Sequence, residues 1–129
     1  MAIRIVRLGS ERLAGEGLRI GTVSRPPRGV KKEDFSRKNY YDVWFPNLAP
    51  STSLLKRHFP IDSEKTWSAF KREFLREMRE ATAARELDLL AALSKHNDFS
   101  VGCYCEDETY CHRSLLKELL KTRGAMLGD

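Results

Sequence analysis

Four short runs rich in β-branched and aromatic residues, AIRIVRL, LRIGTVS, YYDVWF and FSVGCYC, are set along the chain. The stretch between the third and the fourth instead repeats its apolar residues every three to four positions. Short apolar runs bounded by turn residues mark strands, and a three-to-four repeat marks helices. Strands alternating with helices bury their apolar faces as layers around a small parallel sheet. The expected fold is therefore α/β: a single-domain three-layer sandwich with a small, mostly parallel sheet. A chain of 129 residues fits one such domain over residues 1–129.

The boundaries follow from local chemistry. A strand is expected near 3–8 and a second near 18–24, stopped by RPPRG, because proline removes a donor and restricts the residue before it. KKEDFSRKN reads as a short helix or turn, and YYDVWF as a strand or an extended segment closed by Pro46. Ser51 or Ser53 caps a helix in APSTSLLKRHF that Pro60 ends. Asp62 or Ser63 opens the longest helix. Trp67, Phe70, Phe74 and Met78 share one face of it, and the stripe runs on through Ala81, Ala84, Leu87, Leu90 and Leu93 to about residue 95. In the last strand Phe99, Val101, Cys103 and Cys105 share a face. The last helix, in YCHRSLLKELLKTRG, buries Leu115, Leu116, Leu119 and Leu120 and stops at Gly124.

Several classes are excluded. No apolar run approaches the roughly 20 residues of a membrane helix, and MAIRIVRLGS is not a signal peptide. Three cysteines, two of them in a C-x-C, argue against a secreted disulfide framework and for a reducing cytoplasm. The net charge of +5 favours an anionic partner.

Parallel sheets bind ligands beyond the carboxyl ends of their strands. That rule singles out Ser24–Gly29, residues 42–47 and the Cys105–His112 turn. Cys103, Cys105, Cys111 and His112 offer a zinc-type donor set, but the usual C-x2–4-C spacing is absent and Cys111 and His112 would diverge at a helix start. No metal and no cofactor is expected. Cys111, in the first turn of a helix, is placed to form a thiolate and act as nucleophile, with Glu106, Asp107 and Glu108 opposing it. Packing as a small apolar filler is the competing reading of the cysteines. His112 is the candidate acid or base, with a core histidine as its alternative. Arg25 and Arg28, held by Pro26 and Pro27, suit a phosphate or carboxylate, and Arg113 and Asp42 join them as candidate ligand contacts.

Three stretches carry a family resemblance: SRPPRGVKKEDF, the YYDVWFPNLAPSTSLLKRHF segment, and the CHR that opens the last helix. Together they resemble the domain of unknown function 488 family, and the middle of the chain resembles its YeaO-like branch. The resemblance runs from about residue 18 to 122. It implies a single-domain α/β protein of the prokaryotic cytoplasm and assigns no activity. The methyltransferase label attached to some relatives has no support, since a Gly-rich methyl-donor loop is absent. The chain has Ser24 and Pro26 where YeaO-like members carry an aspartate and a tryptophan. The CHR is closer to other branches.

Three functions are compatible with these residues. The first is a pocket for a small anionic ligand, in which Arg25, Arg28, Arg113 and Asp42 bind and Cys111 and His112 react. The second is a nucleic-acid-binding module using the basic region 19–32, with Arg19, Arg25, Arg28, Lys31 and Lys32 on phosphates and Trp44 stacking. The third is an interaction protein without chemistry. No membrane partner is expected.

Overall fold

A computed structural model describes residues 1–105 and 109–128. Four strands, β1 (Ile3–Arg7), β2 (Leu18–Gly21), β3 (Val43–Trp44) and β4 (Phe99–Cys103), form one sheet in the order β1-β4-β2-β3. Every pairing is parallel. Parallel neighbours need crossover connections. The crossover from β3 to β4 carries three helices, α1 (Thr52–His58), α2 (Glu64–Glu77) and α3 (Ala81–Leu93), and α4 (His112–Thr122) follows β4. Gly124 ends α4 with a φ of 79°, a left-handed conformation that glycine adopts without strain.

In register, Ile3 lies beside Phe99 and Ile20 beside Val101. These side chains therefore share a face of the sheet, and all four helices bury their apolar residues on it. Phe70 and Phe74 are wholly buried there, with stacked rings 5.9 Å apart. Ser51 caps α1 by accepting from the Leu54 N–H at 3.1 Å, and Ser63 caps α2 from the Thr66 N–H at 3.2 Å.

The long helix expected to reach residue 95 is two helices. Trp67, Phe70, Phe74 and Met78 keep a three-to-four step, but the next buried residue is Ala83, five positions on, followed by Leu87, Leu90 and Ala91. A straight helix cannot hold both stripes against one core, so the chain breaks at 78–80 and restarts in a new phase. Ala81 and Leu93, assigned to the stripe, are exposed.

The third layer is built from connections rather than helices. On the far face of the sheet, Arg19 is wholly out of solvent. Its guanidinium donates to Glu16 at 2.8 and 2.9 Å and to the carbonyls of Ser10 and Asn39 at 2.8 Å. The Ser100 hydroxyl donates to the same carboxylate at 2.8 Å. Arg19 thus ties the 8–17 loop, the 35–41 turn and the central strands together. It is removed from the basic region expected to meet nucleic acid: a guanidinium with its donors committed inside the fold cannot reach a phosphate. Tyr41 covers β2 closely, and a Cβ on Gly21 would stand 2.3 Å from its ring, so only glycine fits there.

Burial alone would raise the Glu16 pKa. The hydrogen bonds from Arg19, Ser100 and the Leu13 N–H, with the Arg19 charge, outweigh it and bring the carboxyl from 4.5 down to about 2. A carboxyl depressed in the folded state contributes stability that is complete above its unfolded pKa and is lost as pH falls through the folded value. The shift is worth on the order of 3 kcal/mol. Denaturant unfolding of wild type should lose this contribution as pH falls from about 4.5 toward 2. Glu16→Gln should be less stable at neutral pH by a similar amount, because it leaves Arg19 buried without its counter-charge, and should lack that acid-dependent step. Equal acid dependence in the two proteins would rule the assignment out.

Candidate thiol and imidazole site

The site begins with the place where β2 stops. The strand was expected to run to residue 24, but its last residue is Gly21. The Thr22 N–H and hydroxyl both donate to the Gly102 carbonyl at 2.9 Å. The Thr22 carbonyl turns away from the sheet to His112 Nε2, 2.6 Å away. A carbonyl only accepts, so Nε2 carries the proton. Burial disfavours the imidazolium and lowers the His112 pKa. The neutral ring then presents a bare Nδ1, which faces Cys111 Sγ at 3.9 Å. The edge of Phe74 packs against the ring, 5.7 Å between centroids.

Cys111 is the N-cap of α4, with φ −127° and ψ 142°. The extended backbone directs its side chain inward, and its sulfur lies 2.6 Å from that of Cys103. Both are buried, whereas Cys105 is half-buried. The three thiols are electrostatically one group. Cys105 is pulled down, chiefly by hydrogen bonds from Cys103 and Cys111, against its burial. Cys103, hydrogen-bonded to Cys105, is pushed up to about 12. Cys111 is pushed up by Cys103, by Cys105 and by burial. The helix-start effect expected to activate Cys111 thus meets a residue with no solvent contact. Glu106, Asp107 and Glu108, the carboxylates expected to oppose it, lie outside the described residues.

Cys103, Cys105 and His112 floor a cavity of about 410 Å³ at the carboxyl ends of β2 and β4. Cys103, Cys105, His112 and Tyr104 come from the β4–α4 side, Val23, Ser24 and Arg25 from the loop after β2, and Pro50, Thr52, Leu55, Lys56 and Phe59 from α1 and the residue before its cap. Two of the three places singled out by the carboxyl-end rule therefore converge. The loop is fastened to the sheet end by the Tyr104 hydroxyl, which donates to the Arg25 carbonyl at 2.9 Å.

The remaining candidates are dispersed. Arg28 is exposed and borders a neighbouring hollow that shares Arg25 and Tyr104 with the cavity. Arg113 is buried. Asp42 lies in a separate hollow with Phe35, Tyr41 and Trp44. There it accepts both Arg12 donors at 2.9 Å and the Arg19 backbone N–H at 2.8 Å. Burial would raise its pKa, but these bonds and Ser36 bring it to about 2. Trp44 is partly exposed and donates to the Val23 carbonyl at 2.7 Å. Sequence reasoning missed Thr52, Lys56, Phe59 and Tyr104. The first three lie on or just past a helix whose capping signal is plain, but nothing in the local pattern says which face meets the sheet end. Tyr104 stands between two cysteines and was passed over for them.

A parallel α/β domain with thiols and an imidazole gathered at its strand ends is the class that fold and site define. Within that class the chain belongs to the DUF488 family: residues 3–124 match DUF488-N3a, described as the active DUF488-N3 subclade. No curated protein and no solved structure gives a significant match. Among the described residues, no helix is long and apolar enough to cross a membrane.

Exposure ranks the thiols. Brief treatment of the native, reduced protein with iodoacetamide should place one adduct on Cys105, and denaturation should bring the total to three, read by intact and peptide mass. Modification of Cys111 first would mean that the helix start opens in solution.

Proposed function

We propose that this protein is an enzyme whose cavity at the strand ends takes a small ligand with an apolar body and an anionic head group. The observation that carries the reading is the meeting of Arg25 and Lys56, from two unrelated segments, on one cavity floored by Cys105 and His112. The walls supply apolar surface from Val23, Leu55, Phe59 and Tyr104, which suits the ligand's body. The guanidinium and the ammonium stand on exposed segments bordering the cavity, where they meet a phosphate or carboxylate without being desolvated themselves. Cys105 is the thiol on the solvent side and the group best placed to attack a bound electrophile. Of the pair expected to react, Cys111 is buried out of the cavity and His112 lines its floor beside Cys105. His112 has one nitrogen committed to Thr22, so its part is to fix the floor and hold a proton at Nε2.

Phenyl phosphate tests the reading, since it combines an aromatic body with one anionic head. It should raise the melting temperature of wild type. Arg25→Ala and Lys56→Ala should each weaken its binding about 5- to 10-fold, and the double variant should show no shift. An equal shift in the double variant would overturn the proposal. Binding to a single-stranded oligonucleotide that falls steeply with salt, with no response to phenyl phosphate, would favour the nucleic-acid alternative.

A further inference from the structure

We infer that Cys103, Cys111 and His112 form a binding site for one divalent transition-metal ion of zinc's class. Two sulfurs and an imidazole nitrogen lie within 4.8 Å of one another, and all three residues are buried. Two thiolates and an imidazole are a donor set that zinc favours, and three protein ligands with one position left open are the pattern of a reactive rather than a purely structural site.

Three further observations support the assignment. The first is the orientation of the imidazole. Metal-bound histidines characteristically give their second ring N–H to a carbonyl or carboxylate, which fixes the tautomer and aims the lone pair. Thr22 does this for His112, at 2.6 Å, and leaves Nδ1 bare on the side of the sulfurs. The second is the backbone at Cys111. Adjacent Cys and His would diverge within a helix, and for that reason the sequence spacing argues against a metal. Cys111 is instead the extended residue before the helix, at φ −127°, so its side chain and that of His112 point to one place. The third is access. Cys103 and His112 both line the cavity, which offers an entry path and a free coordination position facing the ligand. An ion about 2.3 Å from each sulfur holds a pair of thiolates roughly 3.8 Å apart, so the Cys103 and Cys111 side chains, now 2.6 Å apart, spread on loading.

The inference stands on the donor cluster and is independent of the anionic ligand, so the two readings fail separately. Full-length protein is reduced, stripped with dipicolinate, exchanged into chelator-free buffer and titrated with Co²⁺. The expected result is one ion per chain, with the near-ultraviolet charge-transfer band of cobalt–thiolate bonds and the visible bands of a tetrahedral site, displaced by Zn²⁺. Cys111→Ser should lose the charge-transfer intensity of one thiolate and weaken uptake about 100-fold or more. Lys56→Ala, which weakens the proposed anion contact and leaves the donor set intact, should take up cobalt as wild type does. If Cys111→Ser does not fold, the wild-type titration decides by itself. Uptake far below one ion per folded chain, or bound cobalt without a sulfur charge-transfer band, overturns the site.

Discussion

The hydrogen bond from His112 Nε2 to the Thr22 carbonyl is the contact on which the arrangement at the strand ends depends. It joins the first residue of α4 to the residue that follows β2, with β4 running between them. A carbonyl one place beyond a parallel strand would otherwise seek the next strand or water. Taken by the imidazole, it ends β2 early and lets the chain leave the sheet as the Ser24–Arg25 wall of the cavity. The same bond fixes which ring nitrogen is bare. A buried imidazole with both nitrogens unpaired would be costly. Here one is satisfied by the backbone and the other is turned to sulfur.

The far face of the sheet solves a different problem. A parallel sheet is normally covered by helices on both sides, and among the described residues α1 to α4 pack on only one. On the other side, Leu8 and Tyr41 belong to a second apolar cluster, and the Glu16–Arg19–Ser100 network ties the loops down. Arg19 satisfies loop carbonyls that have no strand or helix partner, and Glu16 balances the charge. Such a pair is weak evidence of net stabilisation, but it fixes where the loops lie. That matters for the site, because the 35–41 turn held by Arg19 is continuous with Tyr40, whose ring meets the edge of Tyr104 at 6.2 Å. Tyr104 in turn fastens Arg25. The network and the cavity are linked through packed aromatic rings rather than through charge.

The parallel sheet, both serine caps and the final strand–turn–helix could be read from the sequence, because each is written in local pattern. What escaped depended on tertiary placement. The break at 78–80 left only a one-residue slip in an apolar stripe, and alanine suits either phase. Arg19 looked like surface charge, although it stands inside a β-rich run between Leu18 and Ile20, with Glu16 three residues earlier. The CHR motif gave Cys111 at a helix start but not its burial, nor that Cys105 is the thiol lining the cavity beside Cys103. A helix start predicts activation only for a side chain that water and substrate can reach, and Cys111 faces inward while Cys105, on the strand side of the turn, faces the cavity.

That inversion bears on what kind of chemistry the site supports. A nucleophile at a helix N-terminus draws its stabilisation from backbone N–H groups and needs no other partner. The Cys105 pKa is lowered chiefly by two buried thiols, so that lowering depends on Cys103 and Cys111 remaining available as donors. Any event that removes them, by binding an ion or by joining the two sulfurs, removes that lowering. Lys56, on α1, stands apart from such an event, whereas Arg25 is fastened by Tyr104, between Cys103 and Cys105. Of the two proposed anion contacts, Lys56 is therefore the one separable from the state of the sulfur pair.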